Sequence, residues 1–145
     1  MIAVDTNILV HAHREECANH KVSLAALRHL AAGVVPWGLP VFALGEFVRV
    51  VTHPRLFSPP STVRDAFRSV RGLLDCPSCR VLSPGQHFVS HFENMCDEGG
   101  MTGNLVFDAQ IAAVCIEHGA TDILTFDRDF RRIPGIRIVK PETLL

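Results

Sequence analysis

The sequence predicts a single α/β domain, an α/β/α sandwich in which helices cover both faces of a central, mainly parallel sheet of five strands. Short apolar segments typical of buried strands alternate with longer segments whose apolar residues recur at helical spacing. This alternation indicates βαβ units, whose right-handed crossovers place helices on both faces of a sheet. The length of 145 residues fits one domain, residues 1–145, with a sizeable core.

The predicted strands are short, and the first of them ends in polar residues. Residues 2–4 are Ile-Ala-Val, and Asp5, Thr6 and Asn7 follow at once before apolar residues resume. This break predicts a brief buried strand that leads directly into a helix. The other strands are predicted at residues 34–37, 80–82, 122–125 and 136–139.

Five further segments carry apolar residues at helical spacing. Residues 20–32, 61–74 and 86–97 are amphipathic, whereas residues 39–53 and 104–118 are apolar on nearly all sides. Pro54 and Gly119 follow the two apolar segments and are typical helix terminators. We expect these two apolar helices to lie in the inner layers, against the sheet.

The composition is that of an ordinary folded protein, with 48% hydrophobic and 20% charged residues. No apolar run approaches the roughly 18 residues that span a bilayer. No basic segment precedes the N-terminal apolar run, so we expect no signal peptide and no membrane association. Five cysteines are an odd number, which favours reduced thiols and a cytoplasmic location.

The charge is nearly balanced, with 14 basic and 15 acidic side chains. If five of the acids belong to one site, as argued below, ten acids remain against 14 basic residues. That excess, mostly arginine, is compatible with a nucleic-acid substrate, but taken alone it is better explained by a solvated arginine-rich surface.

Three acidic residues follow predicted strands. Asp5 follows the first strand, and Asp127 and Asp129 follow the fourth. Helix capping is the simplest explanation for Asp5 and Asp127, and the helix dipole favours an acid such as Asp129 in a first turn. The carboxyl ends of strands are also where open parallel sheets form their ligand sites.

Two more acidic residues interrupt the most apolar helices. Glu46 lies in VFALGEFVRVV and Asp108 in NLVFDAQIAAVCI. A lone buried carboxylate is costly unless it is protonated, paired or bound to a metal. An ion pair with Arg49 would explain Glu46, and a hydrogen bond to Asn104 would explain Asp108.

No single local explanation accounts for all of these acids at once. If they converge, each close pair repels by roughly 4 kcal/mol at an effective dielectric constant of 20. Protonation or divalent cations would relieve that repulsion, and ligands that are all oxygen favour Mg²⁺ or Mn²⁺ over zinc. Two such ions can assist phosphodiester hydrolysis.

Four segments give the chain a resemblance to PIN-domain proteins, and more narrowly to VapC-type toxin ribonucleases. The segments are AVDTNILV, Glu46 within the third helix, GNLVFDAQIAA and ILTFDRDF. They occur in the family's order and span positions 3 to 130, which is essentially the whole chain. The resemblance implies an α/β/α sandwich with a parallel sheet.

The resemblance also implies the roles of individual residues. Four acids match the quartet that holds Mg²⁺ or Mn²⁺ and carries catalysis: Asp5, Glu46, Asp108 and Asp127. Asp129 matches a frequent additional acid at the metal. Four polar residues match positions that orient ligands or water around the site: Thr6, Asn7, Asn104 and Thr125.

By the same resemblance, the chain is expected to be an endoribonuclease that hydrolyses RNA with metal assistance and leaves a 5′-phosphate and a 3′-hydroxyl. Such toxins commonly form homodimers and are neutralised by a small VapB-type antitoxin. The alternative is a PIN-like module that binds RNA or a partner without catalysis. Candidate phosphate contacts are Arg49, Arg128, Arg131 and Arg132, each of which, taken singly, is better explained as a solvated surface residue.

Two other motifs are weaker. Cys76 and Cys79 form a C-x-x-C pair, but it follows a helix rather than opening one, and no further soft ligands have zinc spacing. His87 and His91 stand four apart without the glutamate of the H-E-x-x-H pattern, which favours an exposed helix face.

Overall fold

The structure is a computed structural model that describes residues 1–145, and its centre is one parallel sheet of five strands. The sheet order is β3-β2-β1-β4-β5, and every neighbouring pair is parallel. The strands are β1 (Ile2–Val4), β2 (Trp37–Pro40), β3 (Cys79–Leu82), β4 (Asp122–Leu124) and β5 (Arg137–Val139). The predicted α/β sandwich is confirmed.

Six α-helices connect the strands. They are α1 (Thr6–His13), α2 (His20–Ala32), α3 (Val41–Val51), α4 (Val63–Leu74), α5 (Phe88–Gly99) and α6 (Leu105–Glu117). Short 3₁₀ helices follow β4 and β5, at Asp129–Arg132 and Pro141–Leu144. The helical spacing in the sequence located α2 to α6, with ends that differ by a few residues, and α1 is the helix expected directly after the first strand. None of them is long and apolar enough to cross a membrane.

The predicted position of the second strand is wrong. The Val-Val pair suggested residues 34–37, but Val34 and Val35 are 94% and 71% exposed, and the strand is Trp37–Pro40. Trp37 and Leu39 are completely buried, and the Trp37 indole N–H donates to Ser78 Oγ at 3.2 Å. Burial of these large side chains outweighs the local β preference of the valines, and the predicted helix at residues 39–53 therefore starts two residues later.

The order of the strands creates a crevice. From β1 the chain steps to β2 and β3 on one side, then returns to β4 and β5 on the other. Right-handed crossovers then put helices on opposite faces, with α5 packing on α6 and α1 packing on α2 and α3. The order reverses between β1 and β4, so ligands are expected beyond the carboxyl ends of these two strands.

Candidate metal centre

The carboxylate of Asp5 lies at the carboxyl end of β1 and is held by three hydrogen bonds. One oxygen accepts from the backbone N–H of Thr6 at 2.7 Å. The other accepts from the Asn7 amide at 2.7 Å and from the Thr125 hydroxyl at 2.6 Å. Asp5 is only 4% exposed, and burial raises its pKa to about 6 even though the hydrogen bonds from Thr125 and Thr6 oppose that rise. Asp5 therefore caps α1 and also places a carboxylate at the crevice.

Thr125 connects the ends of β1 and β4. Its hydroxyl donates to Asp5 and accepts from the Asn7 amide at 2.9 Å and from the backbone N–H of Asp127 at 2.9 Å. One donor and two lone pairs are all a hydroxyl offers, so Thr125 uses its full capacity. Asn7 also accepts from the backbone N–H of Phe126 at 3.3 Å. These bonds fix the relative positions of two acids that are 122 positions apart in the chain.

Three carboxylates meet beside this network. Asp108, Asp127 and Asp129 each offer an oxygen, and these oxygens all lie within 4.8 Å of one another. One oxygen of Asp127 accepts from the backbone N–H of Asp129 at 2.8 Å, which stabilises the turn before the 3₁₀ helix. The predicted capping role of Asp127 is therefore wrong in detail, because Arg128 takes the N-cap position and Asp127 bonds within the turn before it. The second oxygen of Asp127 remains available to a ligand.

Asp108 lies in the first turn of α6 and makes no hydrogen bond with its side chain. Burial raises its pKa to about 7, and the charges of Asp5, Asp127 and Glu46 add to the effect. The hydrogen bond to Asn104 considered from the sequence does not form. Asn104 is instead exposed at the start of the helix, and its side chain makes no capping bond.

Glu46 reaches the site from α3. Its Oε2 accepts from the Thr6 hydroxyl at 2.8 Å, while its Oε1 lies 3.8 Å from the guanidinium of Arg49. The ion pair predicted from the sequence is therefore present but loose and largely exposed. A pair of that kind contributes at most about 1 kcal/mol, so it does not account for the glutamate's position.

These side chains line one cleft of about 230 Å³. Carboxylates from β1, α3, α6 and the segment after β4 all face it: Asp5, Glu46, Asp108 and Asp127. Hard oxygen donors, mutual repulsion and raised pKa values are what a divalent-cation site requires in its metal-free form. The donor set therefore fits Mg²⁺ or Mn²⁺, and the cleft has no thiol that would favour zinc.

The PIN domain family model matches residues 2–136 of the chain. This protein belongs to the PIN-domain family. Ribonuclease VapC43 of Mycobacterium tuberculosis is 37% identical over 137 residues, covering 94% of this chain and 92% of that protein. Ribonuclease VapC25 of the same organism is 32% identical over 141 residues, covering 97% of this chain and 99% of that protein.

Solved structures confirm the fold of this PIN domain. VapBC2 of Rickettsia felis, bound to a DNA fragment from its promoter, aligns with a TM-score of 0.69 at 19% identity and covers 97% of this chain and 98% of its own. VapC20 of M. tuberculosis, described as a toxin that cleaves the sarcin–ricin loop, aligns with a TM-score of 0.65 at 20% identity and covers 94% and 99%. At these identities the likeness establishes the fold alone.

In the structure of this PIN domain, two histidines of α1 lie in different surroundings. His11 lines the same cleft as Asp5, and its buried Nδ1 has no hydrogen-bond partner. His13 points elsewhere and lies between the hydroxyls of Ser61 and Ser69, at 2.9 and 2.8 Å. Both histidines belong to α1, and nothing in their two-residue spacing shows which of them faces the carboxylates.

The weaker motifs lie away from the centre. Cys79 is buried in β3, and burial raises the pKa of its thiol to about 11, while Cys76 Sγ donates to the carbonyl oxygen of Gly72. All five cysteines are free. His87 is exposed just before α5, and His91 is half-buried within it. None of these four residues lines the carboxylate cleft.

Proposed function

We propose that this protein is a Mg²⁺- or Mn²⁺-dependent endoribonuclease that acts as the toxin of a VapBC-type toxin–antitoxin pair. The observation that carries the proposal is the convergence of four carboxylates, from four separate parts of the chain, in one cleft: Asp5, Glu46, Asp108 and Asp127. Helix capping and ion pairing explain single members of this set but not their meeting. Asp129 is the fifth acid, within 4.8 Å of two of the others.

The chain's own residues position the acids before any ligand arrives. Thr125 and Asn7 fix Asp5, and Thr6 fixes Glu46. A bound divalent cation would polarise a phosphoryl oxygen and lower the pKa of a water. One carboxylate of the set accepts the proton of the attacking water, and the rigid hydrogen-bonded frame keeps the geometry constant through the reaction. Thr6, Asn7 and Thr125 thus act as positioning residues.

The relatives support RNA as the substrate, because three curated relatives that are 37%, 32% and 30% identical to this chain are ribonucleases by name. In this chain Arg128, Arg131 and Arg132 are exposed on and beside the 3₁₀ helix that follows Asp127. Guanidinium groups bind phosphate oxygens in a fixed geometry. We assign this edge of the cleft to the RNA backbone.

The proposed partner is a VapB-type antitoxin. The aligned structures from Rickettsia felis, Haemophilus influenzae and Salmonella typhimurium are VapBC complexes. We further propose that this protein forms a homodimer and works in the cytoplasm, where its free cysteines stay reduced.

The test is cleavage of a total small-RNA pool by purified protein, free of antitoxin, with Mn²⁺ or Mg²⁺ and with EDTA. Asp5→Asn removes one central charge at nearly constant volume. Asp75→Asn is the matched control, because Asp75 is exposed between α4 and β3, at the amino end of the sheet and away from the cleft. We expect discrete products from the wild type and from Asp75→Asn, and none with EDTA or from Asp5→Asn.

A folded wild-type protein that neither cleaves RNA nor binds Mg²⁺ or Mn²⁺ by calorimetry would refute the proposal. The acids would then be structural, and the protein would be a module that binds RNA or a partner without catalysis. Cleavage that survives both EDTA and Asp5→Asn would refute the role of the carboxylates instead.

A further inference from the structure

We propose that a second cleft, between α3 and α6, binds one nucleobase of the RNA beside the bond that is cut. The proposal rests on the ribonuclease function proposed above and adds a determinant of sequence preference. The cleft has a volume of about 640 Å³, within the range of pockets that hold small organic groups.

Matching faces of two helices form the walls of this cleft. Residues 42, 45, 46 and 49 of α3 follow the i, i+3, i+4, i+7 spacing of one helix face, and residues 104, 107, 108 and 111 repeat it at α6. Glu46 and Asp108 line both this cleft and the carboxylate cleft. The two clefts are therefore adjacent, and a nucleotide whose phosphate is at the acids has its neighbours within reach of the larger one.

Phe107 is the feature that suits a base. It immediately precedes Asp108 and is 59% exposed, which is unusual for a large aromatic side chain. It has no aromatic stacking partner within the fold, whereas Phe42 on the opposite wall is held by Phe88 at a centroid distance of 5.4 Å. A free aromatic face in a nucleic-acid groove is a platform on which an unpaired base stacks.

The polar groups of the cleft are also unused. Asn104 and Gln110 line it, and neither side chain makes a hydrogen bond within the protein. Amides offer both donors and acceptors, which is what reading the edge of a base requires. The guanidinium of Arg49 is 63% exposed at the same cleft and has only the loose contact with Glu46.

This lining favours a base over a peptide helix. A helix that docks in a groove needs a row of apolar anchor sites, and only three of the nine lining residues are hydrophobic. One free aromatic ring, two free amides and one arginine are a small mixed set suited to a single planar heterocycle. The two carboxylates that this cleft shares with the proposed metal site support the same occupant.

A larger side chain at Gly45 would fill the cleft without a clash with the rest of the fold. Gly45 lies within α3, and a Cβ built on it meets no atom within 4 Å, so a larger side chain enters open space. Gly72 within α4 has the same property and does not line the cleft. Replacing either glycine by leucine also removes a poor helix former, so both variants are expected to fold.

The experiment uses RNA 14-mers of randomised sequence with Mn²⁺, with the rate measured and the product ends sequenced. We expect the wild type and Gly72→Leu to prefer a particular base at one position next to the cut. We expect Gly45→Leu and Phe107→Ala to cut about tenfold more slowly and to lose that preference, because a stacked base contributes about this factor. The wild type should cut an RNA with an abasic site at that position slowly, and Gly45→Leu should cut that RNA at the same slow rate.

Each result decides the question. If the wild type cuts and Gly45→Leu matches it in rate and base preference, the nucleobase site is refuted. A protein partner would then be the remaining candidate occupant of the cleft. If Gly45→Leu slows cleavage tenfold but keeps the preference at every position, the cleft is not a base site either. If the wild type and Gly72→Leu cut neither the 14-mers nor the small-RNA pool and bind no Mn²⁺, the ribonuclease function is refuted, and the base site with it.

Discussion

Asp108→Asn should make the metal-free protein more stable, although it removes a residue of the proposed centre. Asp108 is partly buried, makes no hydrogen bond, and lies near the charges of Asp5, Asp127 and Glu46. Burial raises its pKa to about 7 from an ordinary value of 3.8. Asparagine has nearly the same shape and carries no charge, so the substitution removes the repulsion and leaves no partner unsatisfied.

The sign follows from the protons bound in each state. Because its folded pKa is raised, Asp108 keeps its proton when folded at pH values where the unfolded chain has lost it, so its contribution to the free energy of unfolding falls as pH rises from about 4 to about 7. A fully buried group with this pKa would cost about 4 kcal/mol at pH 8. Asp108 is partly exposed, so solvent screening reduces the cost to about 1–2 kcal/mol.

The assay is urea denaturation in EDTA at pH 5 and at pH 8. We expect Asp108→Asn to raise the free energy of unfolding by about 1–2 kcal/mol at pH 8, and by less than half as much at pH 5. The exposed control Asp75→Asn should stay within about 0.5 kcal/mol of the wild type at both pH values. A gain that is equal at the two pH values, or a loss at pH 8, would show that charge repulsion at Asp108 is not the cause.

Three other predictions follow from the same site and its support. Mn²⁺ should raise the melting temperature more at pH 8 than at pH 5, because its carboxylate ligands must be deprotonated, and Asp127→Asn should reduce that rise; equal shifts would contradict this. Thr125→Val should cost about 2–3 kcal/mol in urea denaturation, because it removes one of the three hydrogen bonds to Asp5 and leaves the N–H of Asp127 without its acceptor. Thr125→Ser should cost little, and equal losses in the two variants would count against the network. Phe130→Ala removes a fully buried ring and should lower the free energy of unfolding by about 3–5 kcal/mol, while Mn²⁺ should still raise the melting temperature as much as in the wild type. A smaller loss of stability would mean that this ring does not anchor the 3₁₀ helix.

Local patterns predicted the elements of this protein well because local physics decides them. Helical periodicity follows from the side-chain geometry of a single helix, so the apolar spacing in residues 61–74 was enough to predict α4. The position of β2 was predicted wrongly because it depends on contacts with residues that are distant in the sequence. Whether Val34 or Leu39 enters the sheet depends on which of the two segments pairs with the neighbouring strands, and one of these strands, β3, comes about 40 residues later.

Three of the acids could be selected from the sequence because each is a charged residue at the end of, or within, an apolar segment. Asp5 ends an apolar run, and Glu46 and Asp108 interrupt apolar helices, so each raises the question of what stabilises it. The sequence could not show that Asp108 lies beside Asp127 and Asp129 and makes no hydrogen bond to Asn104, its neighbour one turn away. That arrangement depends on the reversal of strand order between β1 and β4.

The sequence by itself determined the alternation of strands and helices and the five acids, because periodicity and the cost of burying a charge act on each residue where it stands. Only the tertiary structure decided which side chains meet. In the folded protein Thr125 donates a hydrogen bond to Asp5, and His11 lines the carboxylate cleft while His13 contacts two serines. The groove beside Phe107 likewise forms only when α3 and α6 come together. Contacts of this kind depend on how distant helices and strands pack, and the spacing of residues within one segment carries no information about that packing.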